Sequence, residues 1–305
     1  MTFQSLLDLF PDPEQQPSAA QLASLSHLDS EDTALLAEAW EHVDAELKRH
    51  MLVQMAEMAE DNVDLNFDAA FKLALQDENG SVRAQGLRGL VEYEGRDLIT
   101  TLAQLLREDP EVEVRTEAAI ALGRYALEAE LDHLPASDRE AISDVLMESA
   151  EDNDEEEDVR AKSIEALGAI SGDDIDNLIE SIYDEDSLLM KIAAVDAMGR
   201  SCNEIWLPNV LRELQHKAPL MRHAAAYAAG EIAEEEAVSP LQRVAIQDPD
   251  VEVRHAAIRA LGTIGGAKAG VALKTVLYEG HDDDRPVIEE AQQELTFYDD
   301  PLRPI

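Results

Sequence analysis

Two histidines hold the same place in two similar segments, Arg222-His223-Ala224 and Arg254-His255-Ala256. An imidazole can ligate a divalent metal, contact a ligand or change charge near neutral pH, and the plainest role for this pair is that of ordinary polar groove residues. At positions two, five and nine past a recurring basic residue runs a mixed-charge strip. It holds Arg88, Glu117, Arg124, Lys162, Glu165, Asp196, Arg200, Tyr227 and Arg259. Two chemistries suit it. Its acids and bases can pair within the chain, which contributes little energy at a surface. Alternatively, they can bind an acidic or mixed-charge peptide, as curved repeat surfaces do. Nucleophilic catalysis has poor material, because the lone cysteine, Cys202, lies near Glu204, whose charge disfavours a thiolate. Glycine-rich phosphate loops are absent, and Gly262-Thr263-Ile264-Gly265-Gly266 reads as a helix stop. The residues thus nominate no catalytic group, no cofactor and no metal.

A repeat must position these side chains. Arg83, Arg115, Arg160, Lys191, Arg222 and Arg254 are spaced 32, 45, 31, 31 and 32 residues apart, each followed by small residues and most by Leu-Gly or a variant. Self-similarity at that period implies units that cannot bury a core alone and must stack. In the segment from Asp248 to Gly262, Asp248 and Pro249 suit a turn and helix start. Val253, Ala257, Ala260, Leu261 and Ile264 then follow at helical spacing, and Val238, Leu241, Val244 and Ala245 form an apolar stripe upstream. Each unit therefore reads as helix, tight turn, helix.

The predicted fold is all-α: an α-solenoid of stacked helix-turn-helix repeats with an N-terminal helical cap. Residues 1–63 form the cap, 64–297 about six to seven repeats, and 298–305 a proline-bearing tail. Small residues three and six positions past each basic residue let neighbouring second helices approach closely. The residues six before it, Asp77, Asp109, Asp154, Glu185, His216 and Asp248, predict a ladder of acid-to-arginine hydrogen bonds with a gap at His216. The long interval from Arg115 to Arg160 predicts an acidic insertion near 128–158, whose run at 151–158 repels itself and projects as a solvated loop.

The motif Asp-Pro-x-Val-x-Val-Arg-x-x-Ala-x-x-Ala-Leu-Gly stands almost complete at 109–123 and 248–262. It resembles the HEAT repeat, most closely the short HEAT-like repeats of phycobilisome lyases, over about residues 64 to 297. The resemblance implies a solenoid and, most often, an interaction scaffold. It also brings in two kinds of enzyme. Deoxyhypusine hydroxylase is built from HEAT repeats, with a di-iron centre of His-Glu pairs just after the basic residue. His223 and His255 look like the histidines of that pattern, yet alanine follows each, Glu117 lacks the histidine, and no His-Glu dipeptide occurs in the chain. The bilin-lyase relatives are the other kind, and they match only at framework positions.

Composition narrows the partners. With 66 acids against 24 bases the formal charge is −42, which disfavours phosphate backbones and anionic lipid. Aromatic residues are 4% of the chain, so base-stacking platforms are scarce. No apolar run approaches the length of a membrane span, and the N-terminus lacks a leader pattern. One cysteine fits a reducing compartment, so the expected location is the cytoplasm. The expectation is a non-enzymatic scaffold or assembly factor that binds a protein of basic or mixed charge through the groove, with no nucleic acid and no membrane. A bilin-lyase-type enzyme or subunit is the alternative, and the hydroxylase is disfavoured for want of His-Glu pairs. Nothing in the sequence speaks to oligomeric state.

Overall fold

A computed structural model describes residues 3–7, 9–10 and 16–299. Pro11, Pro13 and residues 300–305 of the proline-bearing tail lie outside the described residues. Among those described there is no strand, and no helix is long and apolar enough to cross a membrane.

Four helices precede the repeats: α1 (Phe3–Leu7), α2 (Ala19–Leu22), α3 (Ser30–Trp40) and α4 (Ala45–Asp61). Helix pairs follow: α5 (Asp68–Ala74) with α6 (Gly80–Gly89), α7 (Asp97–Glu108) with α8 (Val112–Glu130), and α9 (Ala136–Glu151) with α10 (Glu157–Leu167). Next come α11 (Asp173–Tyr183) with α12 (Leu188–Arg200), α13 (Leu207–Glu213) with α14 (Pro219–Ile232), α15 (Val238–Gln247) with α16 (Val251–Ile264), and α17 (Gly266–Glu279) with α18 (Arg285–Asp299). The chain divides into two compact units, Met1–Leu122 and Gly123–Ile305, and the division falls within α8.

The two helices of a repeat differ because their burial differs. First helices are two-faced: α11 buries Ile175, Leu178, Ile179 and Ile182 on one stripe and leaves its acids outside. Second helices are packed on more than one side and are correspondingly rich in alanine; α14 buries Met221, Ala224, Ala225, Ala226, Ala228 and Ala229. In the second unit α10, α12, α14, α16 and α18 stack one on the next. Small residues set that spacing. A Cβ added to Gly199 would lie 2.7 Å from the Ala228 Cα, and one on Gly168 would lie 2.6 Å from the Ala197 Cα. The glycine eight past one basic residue thus abuts the alanine six past the next, and no larger side chain fits at that close approach.

The turns are joined by ion pairs that run forward. Four of the arginines span to the acid of the next repeat: Arg83 to Asp109 (both contacts 2.7 Å), Arg160 to Glu185 (2.7 Å), Arg222 to Asp248 (2.6 and 2.8 Å) and Arg254 to Asp284 (2.7 and 3.1 Å). The third guanidinium nitrogen reaches back to the carbonyl of the residue six before: Asp77, Asp109, His216 and Asp248 accept in this way from Arg83, Arg115, Arg222 and Arg254. A carbonyl needs no acidic side chain, so His216 is tolerated there. In place of a carboxylate, His216 Nδ1 accepts the Ala218 N–H at 3.1 Å, as Asp248 accepts that of Asp250. The cap supplies the first rung, since Lys48 and Trp40 both donate to Asp77, at 2.7 and 2.9 Å.

The stretch near 128–158 is not a projecting loop. Its surplus residues lengthen helices: α8 has 19 residues and α9 has 16. Glu157 and Asp158 enter the first turn of α10, where the helix dipole favours carboxylates, leaving only 152–156 between helices. Glu130 anchors the lengthened α8 by accepting from Arg139 and from the Ser171 N–H.

Candidate functional site

In the second unit the strip residues lie on α10, α12, α14 and α16. Lys162 and Glu165, one turn apart on α10, form an ion pair at 2.7 Å. Asp196 follows on α12. Burial pushes its carboxyl up to about 7, the Glu165 charge adds to the effect, and Lys162 and Arg200 oppose it. Arg200 is exposed on the last turn of α12, with Nη1 3.5 Å from where a Cβ on Gly123 would stand. One repeat further, burial raises the Tyr227 phenol above its ordinary value, with Glu231 adding and Arg200 opposing. His223, Tyr227, Glu231, Arg259, Glu290 and Glu294 line a cavity of about 410 Å³.

The structure therefore brings Lys162, Glu165, Asp196, Arg200 and Tyr227 into one electrostatic neighbourhood, and sets His223 and Arg259 beside Tyr227. His255 is directed elsewhere: its Nε2 lies 3.0 Å from the buried Asp284 carboxylate, on the last rung of the ladder. Arg124 sits over the Tyr125 ring at 5.0 Å. Arg88 and Glu117 lie in the first unit, paired to each other at 2.7 Å, with Glu113 also on Arg88 at 2.8 Å. Glu290 and Glu294 lie five and nine past Arg285, which opens α18 31 residues beyond Arg254 and is in register because Gly262 meets Ala291; the sequence reading ended the series at Arg254 and so missed them. Cys202 is exposed at the surface, yet partial desolvation of its thiol together with the Glu231 charge raises the pKa, which disfavours the thiolate.

Comparison with known proteins bears on both fold and function. A profile of HEAT repeats matches residues 67–137 and 207–295. The chain is 25% identical over 240 residues to a deoxyhypusine hydroxylase of Candida albicans, covering 72% of this chain and 74% of that protein. It is 30% identical over 174 residues to the deoxyhypusine hydroxylase of Eremothecium gossypii, covering 51% and 54%. Among solved structures, the CpcE–CpcF phycocyanin lyase complex of a Nostoc species superposes over 92% of this chain and 100% of that one, with a TM-score of 0.55 and 17% identity, a likeness of fold. The expectation of a non-enzymatic scaffold is overturned by the relatives named for an enzyme, and so is the expectation that the chain is not one.

A di-iron centre of His-Glu pairs is what such relatives imply, and the donor set does not fit it. Ala224 and Ala256 stand where the glutamates would, both buried in helix packing, and His255 is engaged with Asp284. Among the described residues no group of three or more His, Cys, Asp or Glu side chains could hold a metal ion. The carboxylate beside His255, Asp284, is already neutralised by Arg254, so it is poorly placed to neutralise or bridge a metal pair.

Proposed function

The chain belongs to the HEAT-repeat family, and on that footing we propose that it is an enzyme acting by proton transfer on the strip from Lys162 to Arg259, with Asp196 as the acid–base group. The observation that carries this reading is the Asp196 carboxyl, one turn before Arg200 on α12, close enough to Lys162, Glu165 and Arg200 to feel their charges, and raised to about 7. Such a group is divided between its two forms at neutral pH and can take a proton from one atom and return it to another. Glu165 accepts from Lys162, and the Glu165 charge helps Asp196 hold its proton. Arg200 and Tyr227 can stabilise negative charge that develops on a substrate seated against them. The cavity beside Tyr227 would hold the body of that substrate. The cytoplasm suits this reading, because the chain's single cysteine needs no oxidising compartment.

The test is untargeted mass spectrometry of a cell extract incubated with the purified protein, with Asp196→Asn and with Tyr227→Phe. A compound or peptide consumed by the wild type, untouched by Asp196→Asn and consumed more slowly by Tyr227→Phe, is the expected result. Identical product profiles from wild type and Asp196→Asn would sink the proposal.

A further inference from the structure

The ladder of forward ion pairs is interrupted between Lys191 and His216. Arg83, Arg160, Arg222 and Arg254 each meet an acid 25 to 30 residues ahead, whereas the residue 25 past Lys191 is a histidine. Beside the break lies a cavity of about 680 Å³. Its polar wall is formed by His216, Arg222, Arg243 and Asp248, and its apolar wall includes Leu214 and Val244. The single carboxylate on that wall, Asp248, is spent on Arg222 through two hydrogen bonds. Arg243 is exposed, and among the described residues neither it nor Lys191 has an ion-pair partner. His216 Nδ1 accepts the Ala218 N–H, so the neutral ring carries its proton on Nε2 and presents a donor there.

A cavity that concentrates donors, while its one acid is neutralised, is unusual on a chain with a formal charge of −42. We propose that this cavity is a binding site for a carboxylate with an apolar body. The carboxylate would pair with the Arg243 guanidinium and accept from His216, and the apolar part would lie on Leu214 and Val244. The ligand supplies the acid that the repeat lacks at position 216. The strip around Asp196 plays no part, so this site stands or falls independently of the proposed activity.

A free organic acid and an acidic side chain of a peptide share this chemistry, and two probes separate them: 4-methylpentanoate, and the blocked peptide acetyl-Leu-Glu-Leu-amide. Binding to the full chain would be followed by calorimetry and by the Arg243 Nε–H resonance. Arg243→Glu should weaken whichever probe binds by about tenfold or more, the scale of one charge-assisted pair. His216→Asp should abolish binding, because it restores the acid for Lys191 and repels the ligand's carboxylate. Arg243→Gln, which keeps the surface polar without a charge reversal, guards against misfolding and should still weaken binding. Binding of the acid alone assigns the site to free carboxylates, and binding of the peptide alone assigns it to polypeptide. Failure of both probes to bind, or equal affinity in wild type and Arg243→Glu, overturns the proposal.

Discussion

The Arg222 guanidinium holds the Asp248 carboxylate through Nε at 2.6 Å and Nη2 at 2.8 Å, across the junction of two repeats. Both side chains are nearly buried, at 12% and 6% exposure, so removing one partner strands a charge away from water. Asp248→Asn should therefore lower stability by about 3 kcal/mol, although an asparagine can still accept the Asp250 N–H. Pairing it with Arg222→Met should recover a large part of the loss. Urea unfolding followed by circular dichroism measures both; an unchanged midpoint for the single variant would show that the pair contributes nothing.

Glycine in a helix interior is ordinarily costly, and replacing it with alanine gains about 1 kcal/mol. Gly199 should behave in the opposite sense, because its Cβ would lie 2.7 Å from the backbone of Ala228. Gly199→Ala should destabilise by about 1–3 kcal/mol. Gly270→Ala is the control, since its nearest neighbour is a Leu295 methyl at 3.6 Å. It should be neutral or stabilising. Thermal melts of the two variants decide this.

Asp196 and the ladder carboxylates pull stability in opposite directions with pH. Asp196 is raised from 3.8 to about 7, so the folded state holds a proton that the unfolded state releases. Its contribution is complete below pH 3.8 and is lost as pH rises to about 7. Burial works against ionised Asp248 and Asp284, yet their arginines hold both below the ordinary 3.8, so their contribution is present above that value and lost as pH falls below it. Asp196→Asn should be more stable than wild type at pH 8 by on the order of 2 kcal/mol, and should match it near pH 3.5. A stability difference independent of pH would refute the assignment.

Iron offers a direct check on the donor set. A metal bound only by the folded state raises the melting temperature in proportion to its occupancy. With alanine at 224 and 256 and His255 held by Asp284, ferrous iron should leave the melting temperature unchanged, and a chelator should do the same. A rise with iron that His223→Ala removes would reinstate a metal site.

Much of this architecture was legible before any coordinates. The period of the basic residues marked the second helices, and the small residues marked where they meet, because both follow from packing that repeats in sequence. Other features were hidden by their irregularity. Asp284 is 30 residues past Arg254, outside the register of the other acids, and Lys48 lies in a cap that lacks the motif. The acidic run near 151–158 looked like a loop because self-repulsion is visible in composition, whereas the helix dipole that accommodates Glu157 and Asp158 is not. At the candidate site, the strip was readable from its spacing. The direction of His255 and the burial of Asp196 depend on neighbours a whole repeat away. Function was misjudged because the relatives' name came through the framework, while the His-Glu pairs that would have announced it are absent.

The forward direction of the ladder makes each repeat a plug at one end and a socket at the other. Copying one unit and inserting it in phase leaves every buried arginine with an acid, so the gene can lengthen or shorten by whole repeats without stranding a charge. The Lys191–His216 junction is the exception. A standard unit spliced there would satisfy the lysine with its own acid and then set its arginine against His216, where four other joints offer that arginine a carboxylate.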